Sequence, residues 1–267
     1  MKVCFIGYGN MAQAIAAQLK QINSIELFAS SPSLTPKAES GITTHYDNKK
    51  FIHQAHIVIL AVKPAKINQV VAEIVPLLSD RSVLLSLAAG ITLKRLESLC
   101  GHQQAIVRAM PNTPVAVGCG ATPLLANPHV TAEQKQWLET LFQSTGITTW
   151  VDDERLMNAY TAVSGSGPAY VFLYLEAMIA TAEKLGIPPE QARDFSLQTL
   201  SGAVELLRKS NLSPQELRQQ VTSPAGTTEA AIHFFEQHQF KQTITGAVKA
   251  ACNRAVELGQ EHNSESN

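Results

Sequence analysis

Short apolar runs alternate with longer amphipathic segments over about the first 150 residues. Several of the runs are apolar throughout, which is the pattern of strands that are covered on both faces. The predicted strands are VCFI (3–6), IELFA (25–29), GITTH (41–45), HIVILAV (56–62), SVLLSLA (82–88), AIVRAM (105–110) and GITTWV (146–151). Apolar residues at helical spacing predict helices at 10–21, 64–78, 92–99 and 131–144. This alternation is typical of a parallel sheet with helices on both faces.

The pattern changes near residue 155, after the polar stretch DDE (152–154). Strand-like runs end there, and helical spacing continues at 156–164, 168–185, 189–209, 213–221, 228–238 and 240–258. We therefore predict an α/β domain at 1–155 and an all-α domain at 156–267. The second domain has broad apolar faces for its size, which favours burial against a second copy of itself.

Charge and composition narrow the classes of function. The chain has 267 residues, of which 45% are hydrophobic and 16% are charged, so it can bury a sizeable core. A formal net charge of −1 and the lack of a long Lys/Arg block argue against a partner that is a nucleic acid or a membrane surface. We expect the partners to be small molecules and further copies of the chain.

The sequence also bears on the compartment. MKVCFIGYG runs directly into the first predicted strand, which leaves no room for a secretory signal. The longest apolar stretch, 169–182, is interrupted by Glu176 and is shorter than the roughly 20 residues that a membrane span needs. The cysteines show no CxxC pair, which favours a reduced, cytoplasmic protein. His53 and His56 lack a third ligand at metal spacing, so no metal site is predicted.

A glycine-rich turn directly after the first strand carries the first candidate chemistry. The stretch GYGNMA (7–12) fits G-x-G-x-x-G/A, with Ala12 in the last position. Gly7 permits the tight turn, Gly9 lets the backbone approach a pyrophosphate, and Ala12 keeps the helix close to the strand. The N–H groups at the helix start then face the anion. We predict a Rossmann-type dinucleotide site, and a tight turn without a ligand is the alternative.

The end of the second strand bears on the type of dinucleotide. A site that prefers NAD usually has an acid about 20 residues after the glycines. Here the sequence reads FASSPS (28–33), without a carboxylate. Ser31, Ser33 and the amides of an expected following helix can bind a 2′-phosphate, which favours NADPH. A simple Ser/Pro turn that also accepts NADH stays open, because Lys37 is the only cation close in sequence.

Further motifs complete a pattern. AVKP (61–64) follows the fourth strand, MPNTP (110–114) follows the sixth, and SGSGPAY (164–170) opens the helical domain. With FIGYGNMA (5–12), SLAAG (86–90) and TSPAGTTE (222–229), in this order, the chain resembles the pyrroline-5-carboxylate reductase family over nearly its whole length.

This resemblance implies an NAD(P)H-dependent oxidoreductase that acts on a C=N bond. It reduces the cyclic imine 1-pyrroline-5-carboxylate to L-proline, the last step of proline biosynthesis. The helical domain is then expected to form a homodimer, with each active site shared between two chains. In this family such dimers often assemble into larger rings. By the resemblance, the cofactor-contacting positions are Ile6, Gly7, Tyr8, Gly9, Asn10, Met11, Ser31, Asn48, Ala61, Val62, Lys63 and Ala89, and the substrate-binding positions are Ser223, Gly226, Thr227 and Thr228. Asn112 joins the cofactor set, because MPNTP lies at a strand's carboxyl end, where the ligand crevice opens.

The residues of TSPAGTTE also have a direct chemical interpretation. Thr227 or Gly226 can cap a helix that begins at Thr228, and the unpaired N–H groups of that helix then form an anion site sized for one carboxylate. An ordinary helix start is the alternative. The family usually has Gly where Ala225 stands, and a positive φ there would cost an alanine about 1 kcal/mol. Gln220 likewise replaces a more usual Asn.

The expected mechanism needs neither a covalent nucleophile nor a metal. Hydride transfer to an imine is easiest when the nitrogen is protonated, and the nicotinamide carries the electrons. Thr228 is the candidate for a hydrogen bond to the imine nitrogen. Lys63 can assist proton supply or interact with the cofactor or the substrate carboxylate, and a purely structural role for this lysine stays open.

Two other functions also fit part of the pattern. A β-hydroxyacid dehydrogenase-like reductase places a catalytic lysine on the first long interdomain helix. Here 168–185 has Glu176 in its interior and Lys184 only at its end, which argues against that class. A non-catalytic dinucleotide sensor would explain GYGNMA but would leave TSPAGTTE without a purpose.

Overall fold

A computed structural model describes residues 1–39, 41–101 and 103–264. The chain divides into two compact units. The first comprises Met1–Pro168 together with the residues from Ala250 onward, and the second comprises Ala169–Lys249.

A nine-stranded sheet forms the centre of the first unit, in the order β3-β4-β2-β1-β5-β6-β7-β8-β9 among the described residues. The strands are β1 Lys2–Ile6, β2 Glu26–Ser30, β3 Lys37–Glu39, β4 Ile42–His45, β5 Ile57–Leu60, β6 Val83–Ser86, β7 Ala105–Ala109, β8 Gly120–Ala126 and β9 Gly146–Val151. All neighbouring strands are parallel except the pairs β3–β4 and β7–β8. The predicted parallel sheet is confirmed.

The sequence pattern did not predict β3 and β8. β3 is a short polar segment, KAE, and it pairs with β4 alone. β8 begins with Gly120 and contains Pro123, residues that weaken a strand pattern. It is nevertheless buried between β7 and β9, and tertiary pairing therefore overrides its weak local preference.

Helices cover both faces of the sheet, as the apolar strands require. They are α1 Asn10–Leu19, α2 Ile67–Ile74, α3 Leu93–Cys100, α4 Ala132–Gln143 and α5 Glu154–Tyr160. Alternate residues of β1 enter two different cores: Val3 and Phe5 belong to one, Cys4 and Ile6 to the other, and all four are fully buried. The position of the strand ends is therefore fixed from both sides.

Five further α-helices follow α5 in the described part of the chain. They are α6 Gly167–Lys184, α7 Pro189–Lys209, α8 Pro214–Gln220, α9 Thr227–Gln237 and α10 Phe240–Ser264. α10 continues beyond the predicted end at 258, because Arg254 pairs with Glu257 and Glu261 further along the helix. The predicted helix at 156–164 becomes α5 followed by a π-helical turn, Thr161–Gly165. No helix in the described part of the chain has both the length and the hydropathy needed to cross a membrane.

The second unit exposes much of its apolar surface in the single chain. Leu175 and Ala192 are buried, whereas Phe172, Leu173 and Phe195 are 63%, 68% and 71% exposed. Large apolar side chains grouped on the helices of a small unit are typical of a subunit interface.

A partly buried ion pair supports the first unit at the carboxyl side of its strands. Arg108 on β7 has a side chain only 5% exposed, and it pairs with Glu154, the first residue of α5. The other carboxylate oxygen of Glu154 accepts the N–H of Leu93, at the start of α3, at 3.0 Å. Glu154 therefore connects α5 with both β7 and α3.

We predict that Glu154→Ala lowers the free energy of unfolding by about 2–3 kcal/mol, because it leaves a buried guanidinium without a counter-charge. Chemical denaturation measures the change. Glu26→Ala is the matched control, since Glu26 pairs with Lys2 at 3.7 Å on the surface, and we expect it to change stability by less than about 0.5 kcal/mol. Equal effects of the two substitutions would contradict the assignment.

Candidate active site

The turn after β1 begins with a glycine that no other residue can replace without strain. Gly7 has φ +85°, and a Cβ at this position would lie 2.7 Å from the carbonyl oxygen of Ala61. The N–H of Gly7 donates to the carbonyl oxygen of Ser30 at 2.8 Å. The chain can therefore leave β1 closely packed between the ends of β2 and β5, as the sequence predicted for this glycine.

Gly9 serves a different purpose from Gly7. It is the N-cap residue of α1, it provides no side-chain cap, and a Cβ there would meet no atom within 4 Å. Packing within the protein therefore does not require glycine at this position. The first N–H groups of α1 have no acceptor within the helix, so an exposed, uncapped helix start faces solvent. Ala12 is 1% exposed, in agreement with its predicted place between helix and strand.

The predicted cofactor positions lie at the carboxyl edge of the parallel sheet. Ile6 to Met11 follow β1, Ala61 to Lys63 follow β5, Ala89 follows β6, Ser31 follows β2, Asn48 follows β4 and Asn112 follows β7. Backbone hydrogen bonds join these strand ends: the N–H of Ala61 donates to Ile6 at 2.8 Å, and that of Ser31 donates to His45 at 3.1 Å. This edge is where ligands bind in open α/β sheets.

Within this edge, Tyr8 and Asn48 offer polar groups. Burial raises the pKa of the Tyr8 hydroxyl, which therefore stays a neutral donor. Asn48 is 7% exposed, and its Oδ1 is buried without a hydrogen-bond partner in the described part of the chain. Buried polar atoms are rarely left unpaired in the functional state, so Asn48 Oδ1 fits a ligand donor such as a ribose hydroxyl. Lys63 is exposed, and it directly precedes a 3₁₀ turn.

The segment after β2 differs from the sequence prediction. No helix follows the second strand; the next element is β3, so the helix amides expected to bind a 2′-phosphate do not exist there. Pro32 and Pro36 interrupt the segment and disfavour a helix. Instead the Leu34 N–H donates to the Ser31 carbonyl at 2.9 Å, and the hydroxyls of Ser31 and Ser33 lie 3.2 Å apart. The two hydroxyls remain as candidate phosphate ligands.

Asn112 makes two structural hydrogen bonds. Its Nδ2 donates to the carbonyl oxygen of Ser164 at 2.9 Å, and its Oδ1 accepts the N–H of Ala121 at 2.9 Å. Asn112 thereby connects MPNTP with β8 and with the π-helical turn. That turn contains hydroxyls that bond back to earlier carbonyls, Ser164 to Tyr160 and Thr161 to Met157. Thr and Ser residues that can bond back in this way were the sequence signal from which the distorted helix could have been predicted. A cofactor contact of Asn112 stays a prediction.

The second unit contains the other predicted site residues in one turn. The N–H of Gly226 donates to the carbonyl oxygen of Ser223 at 3.0 Å, and Ala225 has φ 57°. With Pro224 in the second position, this is the arrangement of a type II turn, whose third residue is usually Gly. The sequence analysis expected an energetic penalty for alanine at position 225 if φ is positive there, and φ is positive.

Helix α9 begins directly after this turn. Gly226 is the N-cap, without a side-chain hydrogen bond, and Thr227 is the first helical residue, one earlier than predicted. The structure thus selects Gly226 from the two candidate caps. The N–H groups of Thr227, Thr228 and Glu229 have no acceptor within the helix. An anion site at these amides stays a prediction.

Among the residues that the structure describes, no group of three His, Cys, Asp or Glu side chains is arranged to hold a metal ion.

Comparison with known proteins identifies the family. Residues 154–258 match the family described as pyrroline-5-carboxylate reductase dimerisation, and residues 2–90 match NADP oxidoreductase, coenzyme F420-dependent. Pyrroline-5-carboxylate reductase of Pseudomonas aeruginosa is 39% identical over 97% of each chain. The Pisum sativum reductase is 37% identical over 95% of this chain and 94% of the other.

Solved structures agree. The pyrroline carboxylate reductase of Plasmodium falciparum, solved with NADP bound, superposes with a TM-score of 0.89 at 34% identity, covering 97% of this chain and 98% of the other. The pyrroline-5-carboxylate reductase of Coxiella burnetii superposes with a TM-score of 0.88 at 39% identity, covering 96% of this chain and 97% of the other. The chain belongs to the pyrroline-5-carboxylate reductase family, which confirms the predicted family and its α/β plus helical fold.

We predict that Gly9→Ala raises the Kd for NADPH by more than about tenfold, because the methyl group occupies the space that a pyrophosphate needs to reach the amides. The free energy of unfolding should change by less than about 1 kcal/mol, since the added Cβ meets no protein atom. Fluorescence titration and denaturation measure the two quantities.

Gly7→Ala is the matched contrast. Its Cβ would collide with the Ala61 carbonyl at a positive φ, so stability should fall by more than about 2 kcal/mol. If Gly9→Ala binds NADPH as tightly as the unsubstituted protein, the turn after β1 does not hold the pyrophosphate.

Proposed function

We propose that this member of the pyrroline-5-carboxylate reductase family uses the turn after β1 to hold NAD(P)H and the turn before α9 to hold the substrate. The enzyme is an oxidoreductase that reduces the C=N bond of 1-pyrroline-5-carboxylate to give L-proline. The observation that supports the substrate assignment most strongly is the start of α9. There a fixed turn leaves three backbone N–H groups without a side-chain cap.

The residues at the carboxyl edge of the sheet fit a dinucleotide. The backbone at Gly9 is open, the first amides of α1 are uncapped, and Asn48 Oδ1 lacks a partner in the described chain. When bound, the reduced dinucleotide supplies the hydride. We propose that NADPH is preferred over NADH, because the hydroxyls of Ser31 and Ser33 stand where an NAD site has a carboxylate.

The start of α9 fits the substrate carboxylate. The amides of Thr227 and Thr228 carry the positive end of the helix dipole, and Ser223 adds a hydroxyl donor. We propose that the Thr228 hydroxyl hydrogen-bonds the ring nitrogen and so orients the imine carbon. Lys63 is proposed to assist proton supply or to contact the cofactor or the substrate carboxylate.

The helices from 156 to 267 are proposed to form the dimerisation and substrate-binding domain, following the dinucleotide domain at 1–155. The exposed apolar side chains of the second unit support a homodimer. We propose further that dimers can assemble into a larger ring and that each active site is completed in the dimer. The compartment is proposed to be the cytoplasm, since all four cysteines are free, as in a reducing environment.

The direct test is spectrophotometric. The purified protein should oxidise NADPH only when 1-pyrroline-5-carboxylate is added, with L-proline as the product. 2-Hydroxy and 3-hydroxy acids with NADP⁺ should give no signal. NADPH oxidation that does not depend on the imine, or turnover of the hydroxy acids, would contradict the proposed substrate.

We predict that Thr228→Ala lowers kcat at least about tenfold, because a hydrogen bond to the reacting imine is lost. The Kd for NADPH should change less than about twofold, since the residue does not hold the dinucleotide. Thr228→Ser keeps the hydroxyl and should retain kcat within about threefold. Equal losses of turnover and NADPH affinity in the alanine variant would refute the role of Thr228.

We predict that Ser31→Asp raises the KM for NADPH at least about tenfold while the KM for NADH stays the same or falls. A carboxylate there repels a 2′-phosphate and accepts hydrogen bonds from ribose hydroxyls. Steady-state kinetics with both cofactors measure the ratio. Ser31→Ala removes the hydroxyl without adding charge and should raise the KM for NADPH only a few-fold. If Ser31→Asp leaves the ratio of the two KM values unchanged, Ser31 does not lie in the cofactor site.

A further inference from the structure

Glu229 contacts the turn that precedes its own helix. It is the third residue of α9, and its Oε2 accepts the N–H of Ala225 at 2.7 Å. An acid at this helical position normally reaches back to the N–H of the N-cap residue. Helix α8 shows that arrangement, since the N–H of its N-cap, Ser213, donates to Glu216 at 2.7 Å.

The α9 arrangement differs because its N-cap N–H is already used. Gly226 donates that N–H to the carbonyl oxygen of Ser223, which closes the turn. The Glu229 carboxylate therefore reaches one residue further back, to Ala225. It holds the turn itself, whereas the acid of α8 holds the helix end.

Ala225 is the residue in this turn that needs such support. Its φ of 57° is a left-handed conformation, which is sterically unfavourable for a residue with a Cβ. The space around the next residue is narrow as well, since a Cβ on Gly226 would lie 3.0 Å from the Ser223 carbonyl oxygen. Relaxation of Ala225 to a negative φ would open the turn and move Ser223 away from the first amides of α9.

We infer that Glu229 is a positioning residue for substrate binding, acting through Ala225. Its carboxylate holds Ala225 in the left-handed conformation and thereby keeps Ser223 and the first amides of α9 in the geometry of the carboxylate site. This inference rests on the proposed role of the turn before α9. The contact through which Glu229 acts is the hydrogen bond that its Oε2 accepts from the Ala225 N–H.

The inference makes Glu229 dependent on the residue at 225. Glycine adopts a positive φ without the steric penalty, so Ala225→Gly removes the strain that Glu229 opposes. Glu229 should therefore matter less in a protein that carries Ala225→Gly. A carboxylate that merely stabilises the helix through its dipole would act equally in both backgrounds.

The experiment compares the unsubstituted enzyme with E229A, A225G and A225G/E229A in steady-state kinetics. E229A should raise the KM for 1-pyrroline-5-carboxylate about tenfold, the expected effect of losing a hydrogen bond to a charged group. Its KM for NADPH should stay within about twofold and its kcat within about threefold. A225G/E229A should bind the imine within about threefold of A225G.

Two further variants serve as controls. E229Q keeps an acceptor oxygen and should hold the KM for the imine within about threefold. E236A removes an acid of the same helix whose carboxylate pairs with Arg218 at 3.3 Å, and it should leave both KM values unchanged.

An unchanged imine KM in E229A would overturn the inference, as would an equal rise in both backgrounds at position 225. If E229A does not fold, the comparison of A225G/E229A with A225G decides, and a tenfold rise there contradicts the inference. Thermal unfolding of the unsubstituted protein, E229A, A225G and A225G/E229A separates this inference from the proposed function. If the unsubstituted protein does not reduce the imine, the proposed function is wrong. A lower Tm in E229A that A225G suppresses would still support the coupling between Glu229 and Ala225. If A225G does not suppress a lower Tm, or E229A does not lower Tm, the coupling is overturned.

Discussion

The two candidate ligand sites depend on helix starts whose N–H groups no side chain covers. α1 and α9 both begin after a glycine N-cap, Gly9 and Gly226, without a side-chain hydrogen bond. By contrast, α3, α4, α5 and α8 are each capped by a Thr, Asp or Ser side chain. A side-chain cap satisfies one of the first amides of a helix, whereas an uncapped start leaves them for water, protein groups or an anion; α2 and α7 also lack a side-chain cap. A pyrophosphate and a carboxylate are the anions that the family's reaction provides.

Leaving these amides open requires backbone conformations that the rest of the chain must hold. Gly7 turns at a positive φ against the Ala61 carbonyl, where its lack of a Cβ makes the conformation possible. Ala225 adopts a similar φ without that advantage, and the closed turn together with Glu229 holds it in place. Local strain of this kind persists only where neighbouring groups determine the conformation.

Rigid support comes from the sheet and from a few long-range polar contacts. Strands buried on both faces fix the edge from which the cofactor positions extend. Glu154 connects α5 to Arg108 on β7 and to the start of α3. Asn112 connects the segment after β7 to β8 and to the π-helical turn. These contacts keep the loops of the site in place, and a cofactor contact of Asn112 stays a prediction beside this structural role.

The sequence alone determined most of the strands and helices, the glycine turn, the site motifs and the family. These features depend on apolar periodicity, on the absence of a side chain at Gly7, and on motifs that are contiguous in the chain. It also raised strain at Ala225 as a condition, because the family usually has Gly at this position and only a positive φ would penalise the alanine. Only the tertiary structure decided that β8 inserts antiparallel beside β7, that no helix follows β2, and that Asn112 bonds Ser164 across 52 residues. The partner of a buried polar group is set by which segments the packed core brings together, and no local pattern specifies that choice.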